Sequence, residues 1–387
     1  MSAGPVRPAR RAGGRRAAPA VAAVLAAVAL LAGCGGTAAP GGGPPSAPDA
    51  RAPAPTATPE PGATPEGTLL VADFGADTVS FVDPVRGVFD RVEVGTAPYG
   101  VAVGADGRAW VATAEGVAVV DTGKRTRLAR IPYRTRTGPV TTGEYRGGGM
   151  GIALAPDGRH AYVGVNVPDG DGVLEVIDTA TRTVTGTVPV GRRPFDVDVS
   201  RDGSEAYATG HDSFDVTSVR TDTLRARRME VAPYGTEGGL GSWLKPHYAV
   251  VRPSDGKLLL PFEGERLAVL DPRTGQVAVE RMTADTHQHG AALTPDGRLL
   301  VVGTGPITSG DDAASLTIRE PDGSERVVRL DGPHEDVAVS RDGRTAYVTG
   351  GFTRDGYWNG ITVVALDGRT PPVRLAAGER PLGIAVL

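Results

Sequence analysis

The chain has 387 residues, with 41 lysines and arginines against 45 acidic residues and a formal charge of −4. That balance excludes nucleic acid as a partner, because phosphate binding needs a basic surface. One cysteine excludes a disulfide framework and a cysteine-ligated metal.

Residues 1–33 read as a secretory signal outside the fold. Arg7, Arg10, Arg11, Arg15 and Arg16 precede the apolar run VAAVLAAVALLAG, which is too short to span a membrane as a stable helix. The run ends in Leu31, Ala32, Gly33 and Cys34. These four residues resemble the lipobox of bacterial lipoproteins, which implies cleavage before Cys34 and a diacylglycerol on its thiol. No apolar pair follows either arginine pair, which speaks against twin-arginine export. Residues 34–66 continue as Pro, Ala, Gly and Thr with almost no large apolar side chain, a composition that cannot bury enough surface to order itself. A lipid on Cys34 and a flexible tether place the body at the cell membrane, on its extracytoplasmic side. Loss of the signal leaves 36 basic against 45 acidic residues, so the exported body is more acidic still.

Residues 67–387 carry a repeat. "GVAVGADGRAWVAT", "GIALAPDGRHAYVGV", "FDVDVSRDGSEAYATG", "YAVVRPSDGKLLLPF", "GAALTPDGRLLVVGT" and "DVAVSRDGRTAYVTG" each set an Asp-Gly pair between two apolar runs. Asp-Gly between such runs marks a β-hairpin, because glycine takes positive φ without strain. The turns fall at Asp106, Asp157, Asp202, Asp255, Asp296 and Asp342, a period of 41 to 53 residues. A third strand ("LEVIDTATR", "LAVLDPRTG") and a fourth ("TVTGTVPVG", "QVAVERMTA") follow each hairpin, and no stretch sustains a helical period. Four antiparallel strands per repeat of this length make a propeller blade. "LGIAVL" at 382–387 supplies a first strand, and "GTLLVADFGADTVSFVDPVRGVFDRVEVG" supplies strands two to four. The expected fold is all-β: a seven-bladed β-propeller whose ring closes by pairing of its N- and C-terminal strands.

"GRHAYVGV", "GRTAYVTGG" and "PFDVDVSRDG" resemble the YVTN family of bacterial extracytoplasmic β-propellers. The resemblance runs through the whole body and implies fold and compartment. Activity does not follow from it, because the scaffold serves surface proteins, binding proteins and enzyme-associated domains alike.

In such a blade the Asp-Gly turns share one end, here the bottom, and the long connections share the top: 132–150, 165–172, 230–247, 303–313 and 349–360. Five of the six histidines belong to top connections, with His160 the exception. His211 lies in a loop between second and third strands. His247, His287, His289 and His334 lie in links just before the innermost strands of three consecutive blades, beside the axis. Glu335 and Asp336 follow His334, Asp212 follows His211, Asp285 precedes the His pair, and Asp196 opens an earlier blade. Imidazoles with one or two carboxylates suit zinc, copper or nickel better than calcium or magnesium. The pattern also resembles propeller-type periplasmic zinc metallochaperones, which implies a zinc near the axis held by His247, His289 or His287, and His334, with Glu335 in reserve. The chain lacks their histidine-rich loop, so zinc delivery does not follow.

Aromatic residues gather on top as well: Tyr99, Tyr145, Phe195, Trp243, Phe352, Tyr357 and Trp358. Packing accounts for most of them. Trp243 and Trp358, in glycine-rich loops, join Asp196 and His211 as candidate contacts for a small molecule, a protein or the cell wall. Trp110 belongs to the core. Asp169, Asp171 and Glu175 lack the alternating oxygens of a calcium loop. No nucleophile elbow, phosphate loop or dinucleotide fingerprint occurs, and no organic cofactor is indicated. The expectation is a lipid-anchored binding protein, not an enzyme, with an axial His/carboxylate metal site. The alternatives are a metal-free scaffold for protein or cell-wall interaction and a metal-dependent hydrolase of lactonase type.

Overall fold

The computed structural model describes residues 67–143, 145–231, 245–262, 266–284, 290–304, 313–351 and 356–387. They form 28 strands in seven four-stranded antiparallel sheets, with no helix among the described residues. Six sheets take four consecutive strands each. Blade two, for example, runs through Gly148–Leu154, His160–Asn166, Val173–Asp178 and Thr183–Pro189. The seventh is shared between the ends: Pro381–Val386 pairs with Leu69–Asp73, with Leu69 opposite Val386 and Val71 opposite Ile384.

The ring is cemented between neighbouring blades. Leu70, Val79 and Phe81 of blade seven meet Ala109, Val111 and Ala118 of blade one. Six further clusters continue around the circle, until Tyr347 and Ile361 of blade six pack on Leu69, Val71 and Ile384 of blade seven. This sandwiching explains the burial along each blade. The second strand Leu69–Asp73 is buried throughout, the fourth strand Thr183–Pro189 alternates exposed and buried, and innermost strands such as Val101–Val103 keep the partial access of a channel lining.

The bottom turns follow the Asp-Gly expectation. Gly107, Gly158, Gly203, Gly256, Gly297 and Gly343 have φ between 70° and 90°, where a side chain would be strained. Five of these glycines close the turn on the carbonyl three residues back; Gly256 reaches back four, to Arg252. Blade four therefore carries one residue more than the others, and it sits in the bottom turn. In blades one to three a threonine latches the two bottom turns together: Thr122, Thr179 and Thr221 donate to the carbonyls of Gly107, Gly158 and Gly203 at 2.7–2.8 Å. In blades four and five the corresponding Asp271 and Glu320 turn their N–H groups back into their own hairpins.

Candidate functional site

Each link meets its innermost strand at one recurring position beside the axis. Because blade four absorbs its extra residue below, that position is His247, with Tyr248 one step further in. The full tier is Leu382, Tyr99, Met150, Phe195, His247 and Glu335, and the corresponding residue of blade five, His289, lies outside the described residues. One half is apolar: Tyr99, Met150, Phe195 and Leu382 pack with Phe74 and Ala97 in a buried cluster. The other half is polar and equally buried, with His247 and Glu335 no more than 3% exposed.

Glu335 is reached from across the ring. The hydroxyls of Tyr99, from blade one, and Tyr248, from blade four, both donate to its Oε1, at 3.3 and 3.1 Å. Burial first, then the neighbouring phenol and carboxylates, holds the Tyr248 hydroxyl well above the usual tyrosine range, so it stays protonated and can donate. The backbone of Gly290 donates to Glu335 O at 2.7 Å, which brings the start of the innermost strand of blade five against this residue.

The next position inward is glycine in four blades, and two of the exceptions are aspartates. Gly100 N donates directly to Met150 O across the joint between blades one and two. A Cβ on Gly151 would stand 2.5 Å from Asp196, and one on Gly383 would stand 2.3 Å from Tyr99 O, so the strands are too close for a side chain. Where aspartate stands, its carboxylate staples the joint. Asp196 accepts from its neighbour Val197 N at 2.9 Å and from Ala249 N of the next blade at 2.8 Å. Asp336 repeats this with Val337 N and Ile384 N, at 2.8 and 3.4 Å. Both aspartates lie deep in the ring but keep some access to the channel. Burial raises Asp196 to about 6 and Asp336 to about 7, against the hydrogen bonds that lower them. Asp198, two residues along the same strand as Asp196, is pushed well above the carboxylate range by burial and by that neighbour.

The remaining histidines take separate places. His211 Nδ1 bonds Asp212 Oδ1 at 2.9 Å, and its ring lies 5.4 Å from that of His247. Burial lowers His211 to about 4, so the imidazole is neutral. Asp212 is held far below the usual range: burial opposes this, but His211, Lys245 and Arg193 all bond it. His334 turns away from the axis into blade six, where Nε2 meets Thr362 Oγ1 at 2.9 Å; burial lowers it too, to about 4. Trp358 is half-buried beside it, with Arg374 stacked at 3.8 Å and its ring seated where Gly350 and Gly360 lack side chains. Glu175 is fully buried and far from a calcium-loop role, and Trp110 is core at 1% exposure. His287, His289, Trp243 and Cys34 lie outside the described residues. Among the described residues no three His, Cys, Asp or Glu side chains group closely enough to hold a metal ion.

The structure thus brings His247 to the tier of Glu335 and leaves His334 and His211 outside it. Sequence reasoning missed the two phenols on Glu335 and the stapling role of the aspartates. "FDVDV" carried a signal for the latter, since four blades place glycine at the first of its aspartates and every other blade places an apolar residue at the second. A cavity of about 720 Å³ opens elsewhere, at the bottom between blades four and five where the threonine latch is missing. Two ion pairs close within its lining, Arg252 with Asp255 and Arg319 with Glu280.

No family model matches the chain, and no curated protein matches it. Solved structures do. A functionally unknown protein from Desulfotomaculum acetoxidans superposes with a TM-score of 0.61 at 11% identity, covering 83% of this chain and 99% of that one. Hydrazine synthase of Kuenenia stuttgartiensis gives 0.59 at 19%, covering 81% and 98%. The periplasmic gluconolactonase PpgL of Pseudomonas aeruginosa gives 0.58 at 16%, covering 83% and 99%. At these identities the likeness is one of fold.

Proposed function

We propose that the protein is a lipid-anchored, extracytoplasmic binding propeller whose axial tier takes a transition-metal cation, most simply zinc. The observation that supports this is the division of the tier: one half is a sealed apolar cluster, and the other sets His247 and Glu335 on adjoining sides of the blade-five position. Neutral imidazole and carboxylate are the donor set zinc prefers. His289, with His287 as the alternative, would complete it from blade five. Tyr99 and Tyr248 would orient the carboxylate as outer hydrogen-bond partners do around metal ligands. His334, bonded to Thr362, has a structural part in this reading.

Metal analysis of protein purified without a nickel column tests it. Roughly one equivalent of zinc is expected, lost in His289→Ala and in Glu335→Gln. Less than about a tenth of an equivalent, unchanged by either variant after zinc loading, overturns the metal and leaves the metal-free interaction scaffold. Turnover of gluconolactone that disappears on chelation would instead establish the hydrolase.

A further inference from the structure

A second cavity, of about 380 Å³, opens on the top face beside blade two. The link between blades one and two lines it through Arg136, Thr137 and Tyr145, and the blade's own loop lines it through Val167 and Pro168. Its volume falls at the low end for small-molecule pockets, about 300–1,000 Å³, which suits a ligand of one ring.

The link is fixed by buried polar groups. Glu175, itself fully buried in the third strand of blade two, accepts at Oε1 both the backbone N–H and the hydroxyl of Thr135 at 2.7 Å. Asn166 Nδ2 donates to Arg146 O at 2.9 Å and to Tyr145 O at 3.3 Å. A Cβ on Gly147 would stand 2.3 Å from Thr137 O, so the link folds tightly on itself. Such pre-ordering lowers the entropic cost of holding a ligand.

Arg146 also lines the cavity and is only 2% exposed. Its guanidinium donates to Ala97 O, Gly147 O and Gly149 O, and every acceptor is a carbonyl. Among the described residues no carboxylate pairs with it. Burial lowers it only to about 10, so it remains a cation at neutral pH. A buried cation without an anion is costly, and an anion in the cavity would supply the missing charge. Arg136 adds a second, exposed cation at the rim. Tyr145, 42% exposed, is steadied by the Arg193 guanidinium 3.9 Å from its ring centre, and Asp212 holds Arg193 in turn.

The geometry points to this cavity as a binding site for a single sugar ring that carries an acidic group, stacked on Tyr145 and neutralised by Arg136 and Arg146. The ring face meets the aromatic wall, while the hydroxyl of Thr137 and the peptide groups of the link serve the sugar hydroxyls. The site adjoins the apolar half of the axial tier but uses none of the proposed metal ligands, so its test does not depend on a metal.

Calorimetric titration with glucuronate, glucose 6-phosphate, glucose and benzoate decides it. Glucuronate or glucose 6-phosphate should bind roughly tenfold or more tightly than glucose, as loss of a charge-assisted hydrogen bond implies. Whichever is tighter identifies the acid as carboxylate or phosphate. Arg136→Ala should narrow that preference, and Tyr145→Ala should weaken every sugar; both side chains are exposed, so the fold should persist, checked by thermal melting. Benzoate binding as tightly as glucuronate would overturn the sugar assignment. Absence of binding by both acidic sugars, or binding unchanged in both variants, would overturn the site.

Discussion

The aspartate staples make the ring sensitive to pH in a direction that can be worked out. Asp336 titrates near 7 in the folded ring against 3.8 unfolded, because burial disfavours its charged form. Between those values the folded state holds a proton that the unfolded chain has released. The associated stability is therefore fully present below about pH 4 and lost as the pH rises through 7. At about 1.4 kcal/mol per pH unit the shift corresponds to about 4 kcal/mol, and channel water reduces this to roughly 2 kcal/mol. Asp336→Asn removes the titrating group but keeps one acceptor for Val337 N. Urea unfolding of wild type and variant between pH 4.5 and 8 measures the effect. Wild type should lose about 2 kcal/mol more than the variant over that range, with Asp196→Asn giving a smaller difference from its value near 6. Parallel pH profiles for all three proteins would refute the assignment of a desolvated carboxyl to the inter-blade joint.

Three further outcomes follow from the geometry. Tyr99→Phe and Tyr248→Phe should each cost about 1–2 kcal/mol in chemical denaturation, and a double-mutant cycle with Glu335→Gln should show coupling for both phenols. Thr179→Val should cost about 1 kcal/mol by breaking the latch to Gly158 O, whereas Thr181→Val, in the same exposed turn, should cost less. Deleting the terminal strand after Glu379 should lower the thermal midpoint sharply and expose blade seven to protease, because Leu69–Asp73 loses its edge partner.

Most of the fold was legible because it is written in local chemistry. Each Asp-Gly pair fixes a hairpin by its φ requirement, and the strand left over at 382–387 fits the strand missing before Leu69. The axial site was harder. Whether His247 or Tyr248 occupies the tier turns on where blade four hides one residue, and only the Gly256-to-Arg252 bond places it in the turn. Tyr99 and Glu335 are brought together by ring closure, which no pattern of spacing announces. His334 resembles its neighbours in sequence yet turns into blade six, because Thr362 offers a partner there. No motif in the sequence singles out Arg146. Its carbonyl cage depends on two backbone segments meeting, one at Ala97 and one at Gly147 and Gly149.

The shared seventh blade has a consequence for the order of assembly. Leu69–Asp73 lies near the beginning of the body and its partner Pro381–Val386 at the far end, so the joint closes a loop of roughly 300 residues at an entropic cost of about 5 kcal/mol. The six blades between can zip from their own hairpins as they emerge, but the circle cannot lock until the last strand arrives. Until it does, blade seven keeps an exposed strand edge and the inter-blade core on either side of it stays unsealed. Docking of Pro381–Val386 on Leu69–Asp73, and not the stability of any single blade, is then the event that commits the ring to its final form.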